Sequence, residues 1–488
     1  MTHDPEPSIA QVAEADEQFR KLVEYVESPA TLSSTAYEVE LSLFREVLAL
    51  GRSLLKIFMN QKAAASGPPR QGADGATTPQ HSWQTRTYVS VFGPIAVRRR
   101  YYRRSEGGGV CPVDAELSLG RRRYSDLLRS WLEYAVAGEA YDEAVGLIER
   151  ILGLELSKRV AERLADDDSQ DVDAFYDQKS APPAAEEGSI LVVQVDGKGV
   201  RMWNPPEVQG RRTQKKEAVI TAVYTTEPHF RDPEEIADTL AGKPRDGSRC
   251  EKRRCRPEPV AKELRVTLKG KDRAFDCLER ALDKRNGPHF RARVALTDGD
   301  PALQNRVVDR LADFTLILDI VHVASYVRSA SAALLGENNP VLQDYVACRL
   351  DEVLAGQLDR VLAIFEDRQL CGRPLCQTDK KVVATTMGYL RRNASYLRYD
   401  EYLANGWPIA SGAIEGAAGH LVKDRMERAG MKWRPAGAQS VLSLRTVRVN
   451  DDWDDYQRFR RHRQHRQLYG PGDLCPEAPE HCGLAPAA

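Results

Sequence analysis

Apolar positions along this chain change period several times, and each change predicts a different kind of element. From residue 5 to 62 they recur about every 3.6 residues. Val39, Leu41, Leu43, Phe44, Val47, Leu48, Leu50, Leu54, Leu55 and Phe58 give one apolar stripe, as expected of amphipathic helix. Gly and Pro break the pattern in AAASGPPRQGADGATTPQ, which reads as a linker over 63–80. TYVSVFGPIAVRRRYYRR then alternates on either side of a Gly-Pro pair and predicts a β-hairpin with a basic, aromatic end. Helical spacing returns in three pieces, Asp126 to Ala137, Ala140 to Leu152 and Ser157 to Leu164, punctuated by Gly138 and Gly153. That is the layout of a helix-turn-helix. Ser157 would cap its last helix, which would offer Lys158, Arg159 and Arg163 to DNA. Three short helices also occur in proteins that never touch DNA, so that alternative stays open.

Residues 167–188 (from DDSQDVD to APPAAEEG) are acidic and rich in Pro and Ala, and a domain boundary is expected there. Beyond Ser189 the apolar runs are those of strands. Ile190 to Val195 predicts a first strand ending at Asp196-Gly197, a dipeptide that signals a hairpin into a short second strand. Ala218 to Thr225 predicts a third strand, Lys271 to Arg285 a helix, and Arg293 to Leu296 a fourth strand running into Asp298. A helix opens at Pro301, and FTLILDIVHV predicts a fifth strand carrying Asp319 and His322 at its end. The order β-β-β-α-β-α-β is that of an RNase H-like α/β sheet. Residues 325–405 are helical in pattern and read as an insertion ahead of the last helix of that fold.

The organisation expected is therefore a helical N-terminal region (1–62), the linker (63–80) and a hairpin plus helix-turn-helix-like DNA-binding region (81–166). The acidic linker (167–188) and a first part of the core (189–324) follow. Then come the all-helical insertion (325–405), the last core helix (406–456) and a basic, disordered tail (457–488). In fold class this is α/β, an RNase H-like core preceded by a mostly helical DNA-binding region.

Charge changes the picture through its distribution. Lys plus Arg is 70 and Asp plus Glu is 71, so the balance says nothing for or against nucleic acid. Basic clusters nevertheless recur at Arg98–Arg104, Arg121–Arg123, Arg211–Lys216, Lys252–Arg256 and Arg458–Arg466, as in a protein that contacts phosphates. The 9 cysteines are odd in number and irregularly spaced, which argues against a disulfide framework. Cys250-x4-Cys255 and Cys371-x4-Cys376 have poor spacing for zinc. No apolar run reaches membrane length and the N-terminus carries no apolar leader segment, so a reduced, cytoplasmic protein with no membrane partner is expected.

The candidate chemistry lies where strands end. In an RNase H-like sheet the first and fourth strands are neighbours, so Asp196 and Asp298 would stand together. Asp300 is the alternative to Asp298. Glu415 opens the helical stretch WPIASGAIEGAAGHLVKDRMERAGMKW, Trp407 to Trp433, which also carries Lys423, Arg425 and Arg428. At about 100° per residue, Lys423 and Arg425 sit roughly 80° either side of Glu415, which would let one helix face meet a metal and a phosphate backbone. A solvated helix with internal salt bridges is the plainer reading of that stretch. Three carboxylates suffice for two Mg²⁺ ions about 4 Å apart, with Mn²⁺ as a substitute, because Mg²⁺ keeps several waters. Asp319 and His322 would stand behind them, or His322 would simply be a core histidine.

VDGKGVRMW, KKEAVITAVYTTEPHFRDPEEIADTL, LTDGDPALQ, ILDIVHV and YDEYLANGWPIASGAIEGAAGHLVKDRMERAGMKW together resemble the ISKra group of bacterial insertion-sequence transposases, from about Tyr88 to Tyr456. The resemblance implies DDE chemistry with Asp196, Asp298 and Glu415 as the triad, Mg²⁺ dependence, and an all-helical insertion ahead of Glu415. It also implies recognition of terminal inverted repeats by the N-terminal region, target DNA as second substrate, and a nucleoid-associated homodimer or larger synaptic complex. Members often carry a cysteine pair after the Tyr-Tyr of the hairpin. Here YYRRSEGGGVCPVD has Cys111 alone, so DNA contact there would rest on arginines. Two other readings remain: a decayed or co-opted transposase that binds DNA without catalysis, and an RNase H-like nuclease that does not join strands.

Overall fold

The computed structural model describes residues 9–67, 77–104, 108–203, 214–243, 256–367 and 374–470. Outside them lie Cys250, Cys255 and Cys371, residues 211–213 and 252–255 of two basic clusters, and the end of the expected tail. Within them the side chain of Glu415 is also outside the described residues. The chain forms two compact units: Met1–Asp171 with Asp452–Ala488, and Val172–Asp451. No helix among the described residues is long and apolar enough to cross a membrane.

The first unit begins with the helix Ile9–Glu27 packed on the 30-residue helix Ala36–Ala65. Thr35 and Glu38 close a capping box at the start of the longer helix, satisfying two amides that would otherwise be orphaned. Strands β1 (Thr77–Ser90) and β2 (Gly93–Arg104) form the expected antiparallel hairpin, which starts earlier than the alternation indicates. Gly93, at φ +115, takes the backbone out of the turn where a side chain would be strained. A two-residue β3 (Gly109–Val110) pairs with β2. Leu55 and Met59 of the long helix meet Ile95, Val97 and Leu119 in a small core.

The three helices Asp126–Gly138, Tyr141–Leu152 and Lys158–Ser169 follow. Gly153 ends the second in the left-handed conformation that only glycine adopts cheaply. Ser157 occupies the cap position of the third but makes no side-chain cap bond. That helix and the next, Val172–Gln178, occupy most of the stretch read as an acidic linker. The acids there are partnered: Asp167 with Arg122, Asp171 with Arg463, and Asp173 with Arg265 and Arg273.

The expected disordered tail is also corrected as far as Tyr469: residues Trp453–Tyr469 form a helix of the first unit. Its inner face carries Trp453, Tyr456 and Arg460 at helical spacing, all buried. Arg460 and Arg129 both bond the fully buried Asp168, and Tyr456 donates its hydroxyl to the Asp168 carbonyl. Glu133 lies beside this cluster, 3.9 Å from Arg129.

The second unit holds a five-stranded mixed sheet: β4 (Ile190–Arg201), β5 (Lys215–Thr226), β6 (Val260–Thr267), β7 (Ala292–Thr297) and β8 (Thr315–Leu318). Their spatial order is β6-β5-β4-β7-β8. The first three pair antiparallel, while β7 and β8 run parallel to β4. Leu191, Val193, Val195 and Ala295 on one face meet Phe275, Leu278, Leu303 and Val307 of two crossover helices. Ile190, Val192, Val294 and Leu296 on the other meet a helical layer between Ile320 and Ala404.

Three sequence expectations fail here. The hairpin at Asp196-Gly197 does not form, because β4 runs straight through to Arg201 with Asp196 opposite Ile220 and Arg201 opposite Lys215. Gly197 stays out of the left-handed region that a tight hairpin turn demands, so a long ladder overrides a two-residue signal. The third strand is β6, an edge strand absent from the sequence reading. Its amides at Leu264 and Leu268 are taken up by Asn450 and Gln439 at the two ends of the helix Pro435–Val449. The fifth strand stops at Leu318, since Asp319 caps the helix Ile320–Leu335 by accepting from the Val321 amide, and His322 lies in its first turn.

The buried cluster of the first unit yields an expected outcome. Asp168 is held below the usual carboxylate range: its burial works against that, and the Arg460 and Arg129 guanidiniums outweigh it. Glu133 is pushed well up by burial and by the Asp168 charge, which favours its protonated form. The Asp168 contribution is present above the ordinary aspartate range and is lost as pH falls through its depressed folded value. The Glu133 contribution has the opposite sign and erodes as pH rises above the ordinary glutamate range. Asp168→Asn should cost about 3–5 kcal/mol, the usual loss when one partner of a buried pair is removed. Glu133→Gln removes the loss at Glu133, so it should match the parent in acid and become the more stable of the two as pH rises past the ordinary glutamate range. Denaturant unfolding of the full chain at both pH values checks this.

Candidate active site

The site is built on the middle of β4. Its residues alternate between faces, so Asp196 shares the face of Gln194, Val192 and Ile190, the face covered by the helical layer. Gln194 pairs with Leu296 of the parallel neighbour β7. Asp196 and Asp298 each follow that pair by two residues, Asp196 within β4 and Asp298 just past the end of β7 at Thr297, so the two are brought to neighbouring positions. Both are partly buried.

Each carboxylate is fixed by backbone. Asp196 Oδ1 accepts from the Gly197 amide at 2.7 Å, and Asp298 Oδ1 accepts from the Asp300 amide at 2.9 Å. Tyr389, from the helix Gln377–Arg392, donates its hydroxyl to the Asp298 carbonyl at 3.0 Å. Gly299 has φ +92, and a Cβ there would meet the Tyr389 ring at 2.8 Å, so no other residue fits. Asp300, the sequence alternative to Asp298, is otherwise engaged: it caps the helix Pro301–Arg310 and lies 3.0 Å from Lys271.

Burial raises the pKa of Asp196. The Gly197 amide opposes this, the Asp298 carboxylate adds to it, and His322 and Lys198 oppose it. Two like charges held together in a half-buried place form an arrangement that a cation relieves. Among the described residues no group of three or more His, Cys, Asp or Glu side chains is placed to hold a metal. The pair Asp196 and Asp298 supplies donors of the kind a hard divalent cation takes, carboxylate oxygens with the rest of the shell left to water.

The stretch Trp407–Trp433 is fastened to β4 on both sides of Asp196. On one side the fully buried Gln194 accepts from the Ile414 amide at 2.9 Å and donates to the Tyr224 hydroxyl at 3.0 Å. On the other, Trp203 donates its amide to the Trp433 carbonyl at 2.8 Å, and Trp433 donates to the Arg201 carbonyl at 3.1 Å. Ser411 donates to the buried Asp319 carboxylate, which pins the turn ahead of the helix. Glu415 follows Ile414 in the short helix Gly412–Ala417, so its backbone is placed beside the middle of β4, near Gln194 and Asp196.

The single straight helix expected there is corrected. Gly412–Ala417 is α-helical, Ala418–Lys423 is π-helical, Asp424–Met426 is α-helical and Arg428–Gly430 is 3₁₀. The assumed 100° per residue does not hold through a π segment, so the calculated flanking of Glu415 by Lys423 and Arg425 lapses. Lys423 and Arg428 are exposed. Arg425 is fully buried, with its guanidinium 4.8 Å over the Trp433 ring, and is not a surface cation. In the first unit Lys158, Arg159 and Arg163 are exposed on their helix, with Lys158 3.1 Å from Asp142.

Sequence reasoning missed Gln194, Ser411 and Tyr389 as positioning residues. Gln194 did leave a signal, a lone amide inside the apolar run ILVVQV two residues before Asp196. Tyr389 left none, because its partner is a backbone carbonyl 91 residues away.

No family model matches the chain, and no curated protein matches it. Among solved structures, the Drosophila P element transposase strand transfer complex aligns with 72% of this chain and 82% of that chain, at 10% identity and a TM-score of 0.24. A likeness of that size assigns no role to any residue.

Two outcomes follow from the geometry. Asp196 has its folded pKa raised, so its ionisation weakens the fold as pH rises through and above the ordinary aspartate range. Without divalent cations, Asp196→Asn should therefore melt higher than the parent at neutral pH, and the difference should vanish in acid. Thermal unfolding across pH measures it. Gln194→Ala would leave the Ile414 amide without its partner at a cost of about 1–3 kcal/mol. Hydrogen exchange should show lost protection at Ile414.

Proposed function

We propose that this chain is a DDE transposase with an RNase H-like core, of the ISKra kind, that cleaves and joins DNA at insertion-sequence ends. The observation that carries the reading is the docking of the Glu415 stretch on both sides of Asp196, on a strand whose parallel neighbour ends just before Asp298. The strand order, with β4 central and β7 beside it, supports the same fold.

Asp196 and Asp298, with Glu415 from the neighbouring helix, would hold divalent cations, Mg²⁺ or Mn²⁺. Bound there, the cations supply a lowered pKa for an attacking water or 3′-hydroxyl and neutralise charge on the leaving oxygen. The chain's own part is placement. The Gly197 and Asp300 amides fix one oxygen of each aspartate, and Gln194 and Asp319 fix the approach of the Glu415 helix. Lys158, Arg159 and Arg163 of the first unit, and Lys423 and Arg428 of the second, are the exposed cations assigned to DNA. Their contacts with terminal repeats and target DNA should make affinity fall steeply with salt.

The test is a labelled duplex carrying the element's own end, incubated with Mg²⁺. The parent should cut at the end and join the product to a second duplex. Asp196→Asn, Asp298→Asn and Glu415→Gln should each lower the rate by at least about 10³-fold while end binding persists. Cutting by Glu415→Gln at the parental rate would overturn the triad. Cutting without joining would move the assignment to a nuclease of the same fold, and specific binding without cutting by the parent to a co-opted DNA-binding protein.

A further inference from the structure

Past Asp196, β4 runs on to Arg201 and is joined there by a short segment from far along the chain. Met202 forms a parallel bridge with Trp433. The Trp203 amide donates to the Trp433 carbonyl at 2.8 Å, and the Trp433 amide to the Arg201 carbonyl at 3.1 Å. On the other side Arg201 pairs with Lys215 of β5. Side chains alternate between the faces of such a ribbon. Met202 and Trp433 are buried on one face. Arg201, Trp203, Lys215, Lys432 and Arg434 therefore share the other, and all are exposed.

An indole is seldom left in water without a use, yet Trp203 is 43% exposed. The Arg434 guanidinium lies over its ring, 5.1 Å from the centroid, and holds one side of it. Among the described residues none of the four cations of this face is in an ion pair, whereas Arg122, Arg129 and Arg460 of the first unit each hold a carboxylate. Glu217, two residues along β5 from Lys215, is taken by Lys271 at 2.9 Å. Arg434 is also the N-cap of the helix Pro435–Val449, which has no acid in its first turn, so the positive end of that helix adds to the same field.

Four uncompensated cations around a flat apolar ring suit a polyanion that itself offers flat rings, which is nucleic acid. In a duplex each base is stacked between its neighbours and shows only its edges. A single strand offers the faces of its bases, and an aromatic side chain accepts any of them. We propose that this ribbon face is a platform for single-stranded nucleic acid, with an unpaired base stacked on Trp203 and the adjoining phosphates on Arg201, Lys215, Lys432 and Arg434. The platform uses no residue of the candidate active site and its test needs no cleavage, so it stands or falls apart from the transposase reading.

The test is the fluorescence anisotropy of a labelled single DNA strand of about 12 nucleotides, titrated with the full chain in the absence of divalent cations. The duplex of the same sequence and a strand with abasic sites in place of its bases are titrated beside it. The parent should bind the intact strand at least about fivefold more tightly than the abasic one. Trp203→Ala should weaken the intact strand about 5- to 100-fold and leave the duplex and the abasic strand within about twofold. Trp203→Phe should keep most of the affinity. Arg201→Ala and Arg434→Ala should each lower the salt slope for the strand by about 0.7. The Trp203 side chain is exposed and its bonds to Trp433 are main-chain, so circular dichroism and melting temperature should stay parental. As a local readout, a strand carrying 5-iodouracil should crosslink on irradiation to the peptide that contains Trp203. Equal parental affinity for intact and abasic strands, a Trp203→Ala variant that binds the intact strand as the parent does, or crosslinks confined to other peptides would overturn the proposal.

Discussion

Two carboxylates, one in β4 and one just past the end of its parallel neighbour β7, set the terms for the second unit. Asp196 and Asp298 repel each other in a half-buried place, and the rise in the Asp196 pKa shows that burial and this neighbour together outweigh the amide and cations that oppose them. Such a pair persists only if the surroundings leave it no room to relax. Parallel pairing of β4 with β7 fixes the register, the Gly197 and Asp300 amides each take one oxygen, and Tyr389 grips the Asp298 carbonyl over a glycine that admits no side chain. The cost falls on stability and the benefit on whatever charge is to be received there.

The same strand also organises what comes later in the chain. A buried glutamine is expensive in an apolar strand unless every polar atom is used, and Gln194 uses both ends of its amide, on Tyr224 and on Ile414. Arg201 and Trp203 then receive Trp433 through main-chain bonds. Between these anchors the helix gives way to a π segment, a form that accommodates an extra residue where both ends are already tied down. The helical layer from Ile320 to Ala404 contributes a wall as well as a spacer: Tyr389 reaches Asp298 from it, and Tyr399 donates to the Leu318 carbonyl at 2.7 Å.

Legibility in the sequence followed the range of the interaction. Strands β4, β5 and β7 could be read because each is an apolar run buried on both faces, and the three helices of the first unit because Gly138, Gly153 and Ser157 bound them locally. Asp196 and Asp298 could be placed together because the order of elements constrains which strands are neighbours. The Asp196-Gly197 turn was misread because a dipeptide preference is small against the six ladder pairs from Asp196 to Arg201. Strand β6 was not seen because VAKELRVT alternates like a half-exposed edge and its amides are satisfied by side chains 171 and 186 residues away. The role of Tyr389 is of the same kind.

Arginine shows where composition misleads most. Arg425 and Arg460 both sit in runs that read as solvated basic faces, and both are fully or almost fully buried, one on the Trp433 ring and the other on Asp168. Arg99 and Arg86 share Asp114, Arg122 holds Asp167, and Arg98 lies 4.6 Å from the Trp83 ring. A guanidinium already committed to a buried carboxylate cannot also neutralise a phosphate without leaving that carboxylate uncompensated. The number of basic residues in a cluster therefore overstates its capacity for nucleic acid. What remains for DNA in the first unit is set by exposure, which leaves Lys158, Arg159 and Arg163 on one helix and Arg458, Arg461 and Arg466 on the C-terminal one. The C-terminal helix spends two of its arginines on the fold: Arg460 and Arg463 tie it to Asp168 and Asp171, at the last acids before the second unit begins.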